Sequence, residues 1–177
     1  PQQDPATVCY WGQPIAVVVA ETFEQARDAA KHLKVEYRVH EGAPLDPHQV
    51  TPEEQDDVTV NQGDLDAPMA QAALTVDVEI ATEGHASAAM EPHAAIAEWR
   101  DDKLTVHASL QMPNYNIAEL ADSLGIEESD IRLVSRYVGG GFGSKLGISE
   151  ETVAAAIAAR DLGRPVRVVM SRQQVFQ

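Results

Sequence analysis

The chain has 177 residues, of which 44% are hydrophobic and 23% are charged, values that are typical of globular proteins with one or two domains. Its net charge of −15 would repel nucleic-acid phosphates, so no nucleic-acid partner is expected. No apolar run approaches the roughly 20 residues of a membrane span, and no signal-peptide pattern is visible, which leaves a cytoplasmic or periplasmic compartment open. The single cysteine, Cys9, excludes an internal disulfide.

Residues 1–42 have the pattern of a β-α-β unit. The β-branched run at 15–19 follows a turn and predicts a buried strand. Thr22 and Gln25 have the spacing of a capping box, which predicts a helix over 22–33. Alternating side chains at 35–39 predict a second strand.

Residues 43–72 differ from the segments on either side. Prolines and an acidic run at 53–57 interrupt this stretch, and it shows little apolar periodicity. Such composition is typical of solvated connectors, so we expect a linker.

Residues 73–177 contain alternating strands and helices. A hairpin is predicted by two strands that flank the turn at 100–103. Glycine just beyond a periodic segment is a helix stop signal, and it follows each of the two predicted helices. The predicted strands are 73–83, 94–99, 104–110, 131–137 and 166–170, and the predicted helices are 114–124 and 149–160. The predicted fold class is α+β with a mixed sheet.

A glycine-rich run occupies residues 138–145, directly after a predicted strand. Glycine is favoured where the backbone needs positive φ or very close approach, and such a loop offers bare N–H groups to a ligand. Ser144 occupies the position where both the phosphate-binding loop and the dinucleotide fingerprint require glycine. A large cofactor is therefore favoured, and a general anion-binding module is the alternative.

Two further positions are candidates for chemistry. Glu91 and His93 lie at the entrance of a predicted strand, where the carboxylate could equally accept hydrogen bonds from backbone amides. Gln111 ends the polar face of the strand at 104–110, and its amide can donate one hydrogen bond and accept another. The histidines lack the short spacings of a zinc site, and no nucleophile-elbow motif occurs.

Taken together, these segments resemble the molybdopterin-binding large subunit of the xanthine dehydrogenase/aldehyde oxidase family. Residues 1–42 are similar to the end of its a/b hammerhead domain, and 43–72 would be a linker. Residues 73–177 are similar to the first part of its molybdopterin-binding domain. The motifs that carry this likeness are Met90-Glu91-Pro92-His93, Gln111 and the glycine-rich run.

The resemblance implies roles for particular residues. Phe142 would lie against the molybdenum centre, and Gln111 would hydrogen-bond an oxo ligand on molybdenum. Backbone at Gly140, Gly141 and Gly143 would approach the cofactor, which would be molybdopterin, in its cytosine dinucleotide form. The implied reaction is hydroxylation of an aldehyde or heterocycle with water-derived oxygen, and electrons would pass to iron–sulfur and FAD subunits.

One departure from the family pattern concerns the substrate. Purine-oxidising members have glutamate directly after the lysine of this loop, whereas Leu146 follows Lys145 here. An apolar side chain cannot hold a heterocycle by a polar contact, so purines are disfavoured and an aldehyde or another apolar aromatic substrate is favoured. Leu146 and Glu91 are thus candidates for the substrate pocket.

A second departure concerns completeness. The family's catalytic glutamate would lie downstream of residue 177, so we expect a fragment that needs the remainder of the large subunit. No catalytic residue and no direct metal ligand is expected within this chain. The alternative is a non-catalytic domain that folds without a cofactor.

Overall fold

The computed structural model describes residues 7–39, 49–51, 60 and 62–176. The described residues form two compact units, one from those up to 33 together with those from 85 onward, the other from those between 34 and 84. The helices are α1 (Phe23–Lys31), α2 (Asp66–Gln71), α3 (Pro113–Leu124), α4 (Glu150–Leu162) and α5 (Arg172–Val175), with a 3-10 turn at Glu128–Asp130. The strands are β1 (Ala94–Arg100), β2 (Lys103–Ala108), β3 (Ile131–Val134) and β4 (Val166–Val169).

The larger unit is built on a four-stranded mixed sheet with the order β3-β2-β1-β4. β1 pairs antiparallel with both β2 and β4, whereas β3 lies parallel to β2 after the crossover through α3. The β1–β2 hairpin predicted from the turn at 100–103 is confirmed. Asp101 and Asp102 form its tip, with φ of 47° and 61°, the left-handed pair that suits the twist of a hairpin.

One face of the sheet carries the hydrophobic core. Inward-facing residues of β1 and β2 are fully or almost fully buried, as alternation along each strand requires. Small alanines on α4 allow this helix to approach the sheet closely. The core includes Ala95, Ala97, Leu104, Val106, Leu120, Ala155, Ala156, Ala159 and Val166. The α+β class with a mixed sheet is therefore confirmed.

The helix ends follow their sequence signals. Thr22 caps α1 through its side chain, and Gln25 reaches back to complete the capping box. Gly125 and Gly163 adopt left-handed conformations directly after α3 and α4, with φ of 64° and 61°. The predicted helices are thus correct to within one or two residues at most ends.

Several predicted strands do not form. Residues 15–19, 35–39 and 73–83 have no regular secondary structure, because none of the described segments pairs with them. An alternating or β-branched pattern gives a preference for extended backbone, but a strand exists only where a neighbour takes up its hydrogen bonds. The short helix α2 lies in the predicted linker, and the acidic run at 53–57 lies outside the described residues.

β2 and β3 end earlier than predicted, and this shortening opens the sheet. Their pairing stops at His107 and Val134. Beyond that point the Ser135 hydroxyl accepts from Leu110 N at 3.0 Å and donates to Leu110 O at 3.1 Å. Hydrogen bonds from a side chain thus replace the backbone pairing between the two strands. The segments that follow β2 and β3 therefore separate from the sheet and contribute to the site described below. In the described part of the chain, no helix has the length and apolar character to cross a membrane.

Candidate functional site

The glycine-rich run forms a loop between β3 and α4, beside the entrance of β1 and the exit of β2. Its first bonds are made with the β1 entrance, where Glu91 N donates to Gly139 O at 3.2 Å. Its last residue is tied to the β2 exit, since Gln111 N donates to Lys145 O at 2.8 Å. The topology therefore brings the three motifs of the sequence into one site, which we call the glycine-loop site.

An ion pair between a buried lysine and a partly exposed glutamate lies beside this loop. Lys145 has no exposed side-chain surface, and its ammonium donates to Glu91 Oε2 at 2.8 Å and to Glu91 O at 3.0 Å. It also donates to Ser109 Oγ at 3.2 Å. All three ammonium N–H groups therefore have an acceptor, which a buried lysine requires.

The Glu91 carboxylate is the meeting point of these bonds. Burial opposes its ionisation, but hydrogen bonds from Lys145, Ser109 and Gly139 N outweigh burial and lower the pKa of Glu91 to about 2. Its Oε2 accepts from Gly139 N at 2.8 Å, as expected for a carboxylate that binds backbone amides at a strand entrance. Glu91 is thus a carboxylate at neutral pH.

Gln111 has a defined amide orientation. Its Oε1 accepts from Gly143 N at 3.1 Å and from Lys145 N at 3.2 Å. Two N–H donors on one atom identify that atom as the oxygen, so the NH₂ group points away from the loop backbone. No acceptor for this NH₂ group is found among the described residues. Gln111 therefore presents two free N–H donors.

The glycines of the loop are needed for two reasons, lack of space for a side chain and positive φ. A β-carbon on Gly141 would overlap the Gln111 amide, and one on Gly139 would lie 2.5 Å from Glu91 Cβ. Gly140 and Gly143 both have φ of 93°, a conformation that side chains rarely adopt. The run is therefore needed for its shape, whatever the ligand.

Phe142 lies between these glycines in a conformation that is unusual for an aromatic residue. Its φ is 52°, in the left-handed region, where a bulky side chain is strained. Its side chain is nevertheless 77% exposed, so hydrophobic burial within this chain does not offset the strain. The Ser87 hydroxyl, which donates to Phe142 O at 2.9 Å, helps to hold the peptide in place.

Three successive backbone amides of the loop have no acceptor among the described residues: those of Gly140, Gly141 and Phe142. Gly140 and Phe142 both have positive φ, and runs that contain such residues can form concave sites whose N–H groups bind anions. The neighbouring amides of Gly139, Gly143 and Ser144, in contrast, donate within the chain. The free amides and the Gln111 NH₂ group make this site a set of hydrogen-bond donors.

Two supports of the site involve residues to which sequence reasoning gave no supporting role. Arg172 on α5 donates to Ala89 O at 2.6 Å and to Met90 O at 2.7 Å. His93 is buried, and its Nε2 lies 2.8 Å from Ser144 O, so this nitrogen carries the proton. An arginine 82 residues away along the chain from Met90 gives no local signal, and only the fold reveals this contact.

α3 holds the segment that follows Lys145. Asn116 is buried and donates to Leu146 O at 2.8 Å, while the Glu119 carboxylate accepts from Ile148 N at 2.8 Å. The Leu146 side chain remains 46% exposed beside the loop. These polar residues on α3 were missed because a helical pattern shows only the apolar face.

The chemistry of the site fits an oxygen-rich or anionic group better than a bare metal ion. Its free groups are N–H donors, and within the described residues no cluster of three His, Cys, Asp or Glu side chains could hold a metal. Donors at Gln111 and in the loop suit the oxo, phosphate and pterin oxygens of a molybdenum cofactor. The residues present are therefore compatible with that group.

Comparison with known proteins gives two family matches. Residues 46–177 match the molybdopterin cofactor-binding domain, and residues 5–41 match the a/b hammerhead domain of aldehyde oxidase and xanthine dehydrogenase. The glycine-loop site lies wholly within the first of these matches.

Individual relatives of known name are also similar to this chain along most of its length. The aldehyde oxidoreductase molybdenum-binding subunit PaoC of Escherichia coli is 39% identical over 172 residues, which cover 96% of this chain and 24% of that protein. Indole-3-acetaldehyde oxidase of Zea mays is 36% identical over 92% of this chain and 13% of its own length. Quinoline 2-oxidoreductase of Pseudomonas putida 86 has a similar structure, with a TM-score of 0.72 and 25% identity over 88% of this chain and 21% of that one. The chain thus spans about a quarter of the PaoC length.

Proposed function

The chain belongs to the family of aldehyde oxidases and xanthine dehydrogenases, and we propose that it forms one wall of the cofactor site of a molybdenum hydroxylase. In this proposal the chain acts as part of a molybdenum-binding subunit that oxidises aldehydes or related sp² carbon substrates. The glycine-loop site contributes the contacts to the cofactor, and the remainder of the large subunit contributes the catalytic base.

The observation that carries the proposal is the orientation of the Gln111 amide. Its oxygen is occupied by Gly143 N and Lys145 N, so only the NH₂ group is available to a ligand. An NH₂ donor fits an oxo oxygen and would not fit a ligand that offers only N–H groups. The free amides of residues 140–142 add donors of the same kind to the same site.

The other residues of the loop support this assignment through shape. Glycine at 140 and 143 permits positive φ, and glycine at 141 leaves room for the Gln111 amide, so the loop can keep the shape that presents its free amides. Phe142 is strained and exposed, which supports a role for its ring in packing against a bound group. When bound, the molybdenum cofactor would supply the redox chemistry, and this chain would bind and orient it.

The substrate, the cofactor form and the partners are part of the proposal. The names of the relatives from Escherichia coli and Zea mays include aldehyde oxidation, and Leu146 offers an apolar contact where a polar one would suit a heterocycle. We infer an aldehyde-type substrate, the cytosine dinucleotide form of molybdopterin, and iron–sulfur and FAD subunits as electron acceptors. Relatives described as large subunits favour such an assembly.

Metal and pterin content test this function. The protein that carries this chain is purified and its molybdenum is measured beside the pterin that acid releases. We expect stoichiometric molybdenum in the wild type and a loss of at least tenfold in Gly143→Ala. Gly163→Ala is the matched control, because that glycine also has positive φ and an open environment but lies at the end of α4. A folded wild-type protein without molybdenum or pterin would instead support the non-catalytic alternative.

A further inference from the structure

Lys145 uses every hydrogen-bonding group it has within the chain. Its ammonium is saturated by Glu91 and Ser109, as described above. Its backbone N donates to Gln111 Oε1, and its backbone O accepts from Gln111 N. A fully buried and fully bonded lysine has no donor left for a cofactor or substrate.

Glu91 binds the opposite end of the same loop. One carboxylate oxygen accepts from Gly139 N at 2.8 Å and from the Lys145 ammonium at 2.8 Å. The first glycine of the loop and its closing lysine are therefore held by a single atom. Ser109, just beyond β2, donates to the same oxygen and links the pair to the sheet.

These bonds reach the ligand-facing groups only indirectly. Because Lys145 N and Gly143 N together fix the Gln111 oxygen, a shift of Lys145 would release the amide to rotate. Rotation would exchange the NH₂ group and the oxygen, so the site would lose the donor that Gln111 contributes. The charged groups of the ion pair thus influence the orientation of the Gln111 amide through the backbone of Lys145, without direct contact with the NH₂ group.

We propose that Lys145 and Glu91 are positioning residues, which hold the glycine loop closed and thereby fix the donor orientation of Gln111. This inference rests on the proposed function only in naming the ligand as a molybdenum cofactor. It assigns Glu91 to the support of the loop and makes no use of Glu91 as a substrate contact. Loss of the pair should loosen the loop and leave the hairpin of β1 and β2 intact.

Hydrogen exchange followed by mass spectrometry tests the proposal in the complete protein that carries this chain. In Lys145→Met we expect amide exchange across residues 138–147 to quicken at least tenfold, while exchange across 94–108 stays within twofold of wild type. Turnover should show a lower kcat with KM within about twofold. Glu91→Gln, which keeps the side-chain shape, should give a smaller increase in loop exchange and a smaller decrease in kcat. It provides the test if Lys145→Met does not fold.

Two further variants separate positioning from stability. Lys145→Met combined with Glu91→Leu removes both charges, so no charge is left at the buried lysine position or beside it without its partner. We expect this double variant to regain a Tm near the wild-type value while its loop still exchanges rapidly. Lys103→Met is a control for the loss of a lysine charge, since it breaks an ion pair with Asp130 where β2 and β3 begin, at the opposite ends of these strands from the loop.

The contrary results are equally specific. Equal acceleration of the loop and the hairpin, or an unchanged loop in Lys145→Met, would overturn the proposal. A double variant whose loop recovers wild-type exchange would do so as well. Exchange is measured whether or not molybdenum is bound, so failure of this inference is distinct from failure of the proposed function, which molybdenum content reports.

Discussion

A β-carbon added to Gly141 would overlap the amide of Gln111. This close approach links the loop to a residue that lies three positions beyond the end of β2. Gly141→Ala should therefore displace Gln111, at a cost of about 1–3 kcal/mol in the free energy of unfolding. We expect molybdenum content to fall at least tenfold. Gly84→Ala, where no atom lies within 4 Å of the added carbon, should leave both quantities near wild type.

The depressed pKa of Glu91 predicts an acid dependence of stability. Its pKa is lowered from 4.5 to about 2, so its contribution is complete above pH 4.5 and is lost as the pH falls toward 2. Denaturant unfolding at several pH values should show this loss in the wild type and a flatter profile in Glu91→Gln. Glu83→Gln, at an exposed carboxylate without a hydrogen bond among the described residues, should retain the wild-type slope. Equal slopes for Glu91→Gln and wild type would refute the assignment.

Because the backbone at Phe142 is strained, we expect replacement of this residue by glycine to maintain or raise stability while it lowers turnover. Left-handed φ costs a side-chain-bearing residue about 1–2 kcal/mol, whereas glycine tolerates it. Phe142→Gly should therefore unfold at the wild-type Tm or slightly above, although a large aromatic is removed. Turnover should drop, because the exposed ring would no longer pack against bound cofactor or substrate. Phe142→Ala, which keeps the strain and loses the ring, should reduce turnover without the gain in Tm.

Leu146 is predicted to influence which substrates are accepted. Its side chain is 46% exposed, so Leu146→Glu should fold with little loss of stability. The carboxylate should raise kcat/KM for a nitrogen heterocycle relative to an apolar aldehyde by about tenfold, as one gained hydrogen bond to a charged group allows. Leu162→Glu, at a similarly exposed leucine on α4, is the control. An unchanged ratio of the two substrates would place Leu146 outside the pocket.

Local sequence signals predicted the parts of the fold that depend on near neighbours. The capping box at Thr22, the glycine stops at Gly125 and Gly163, and the hairpin turn are all encoded within a few residues. The strands at 15–19, 35–39 and 73–83 were predicted in the same way and do not form. Strand formation depends on a partner elsewhere, which no local pattern supplies.

The residues of the candidate site could also be predicted from the sequence, whereas their contacts could not. The glycine run, Glu91 and Gln111 stand out in the sequence because their residue types are unusual for their places. Which donor meets which acceptor depends on how β1, β2 and α3 come together. Neither the burial of Lys145 nor the Arg172 contact with Met90 could be predicted before the fold was known.

The bonds that close the glycine loop join residues distant in the chain. Lys145 and Glu91 are 54 positions apart, and Lys145 and Gln111 are 34 apart. Bringing such distant residues together costs loop-closure entropy, and earlier contacts reduce that cost. The loop should therefore become ordered only after the β1–β2 hairpin and the parallel crossover to β3 have formed. The loop is expected to acquire its shape late in folding. Substitutions in the loop would then raise the unfolding rate and leave the folding rate almost unchanged. The same few residues would thus determine both the kinetic stability of the fold and the recognition of the cofactor.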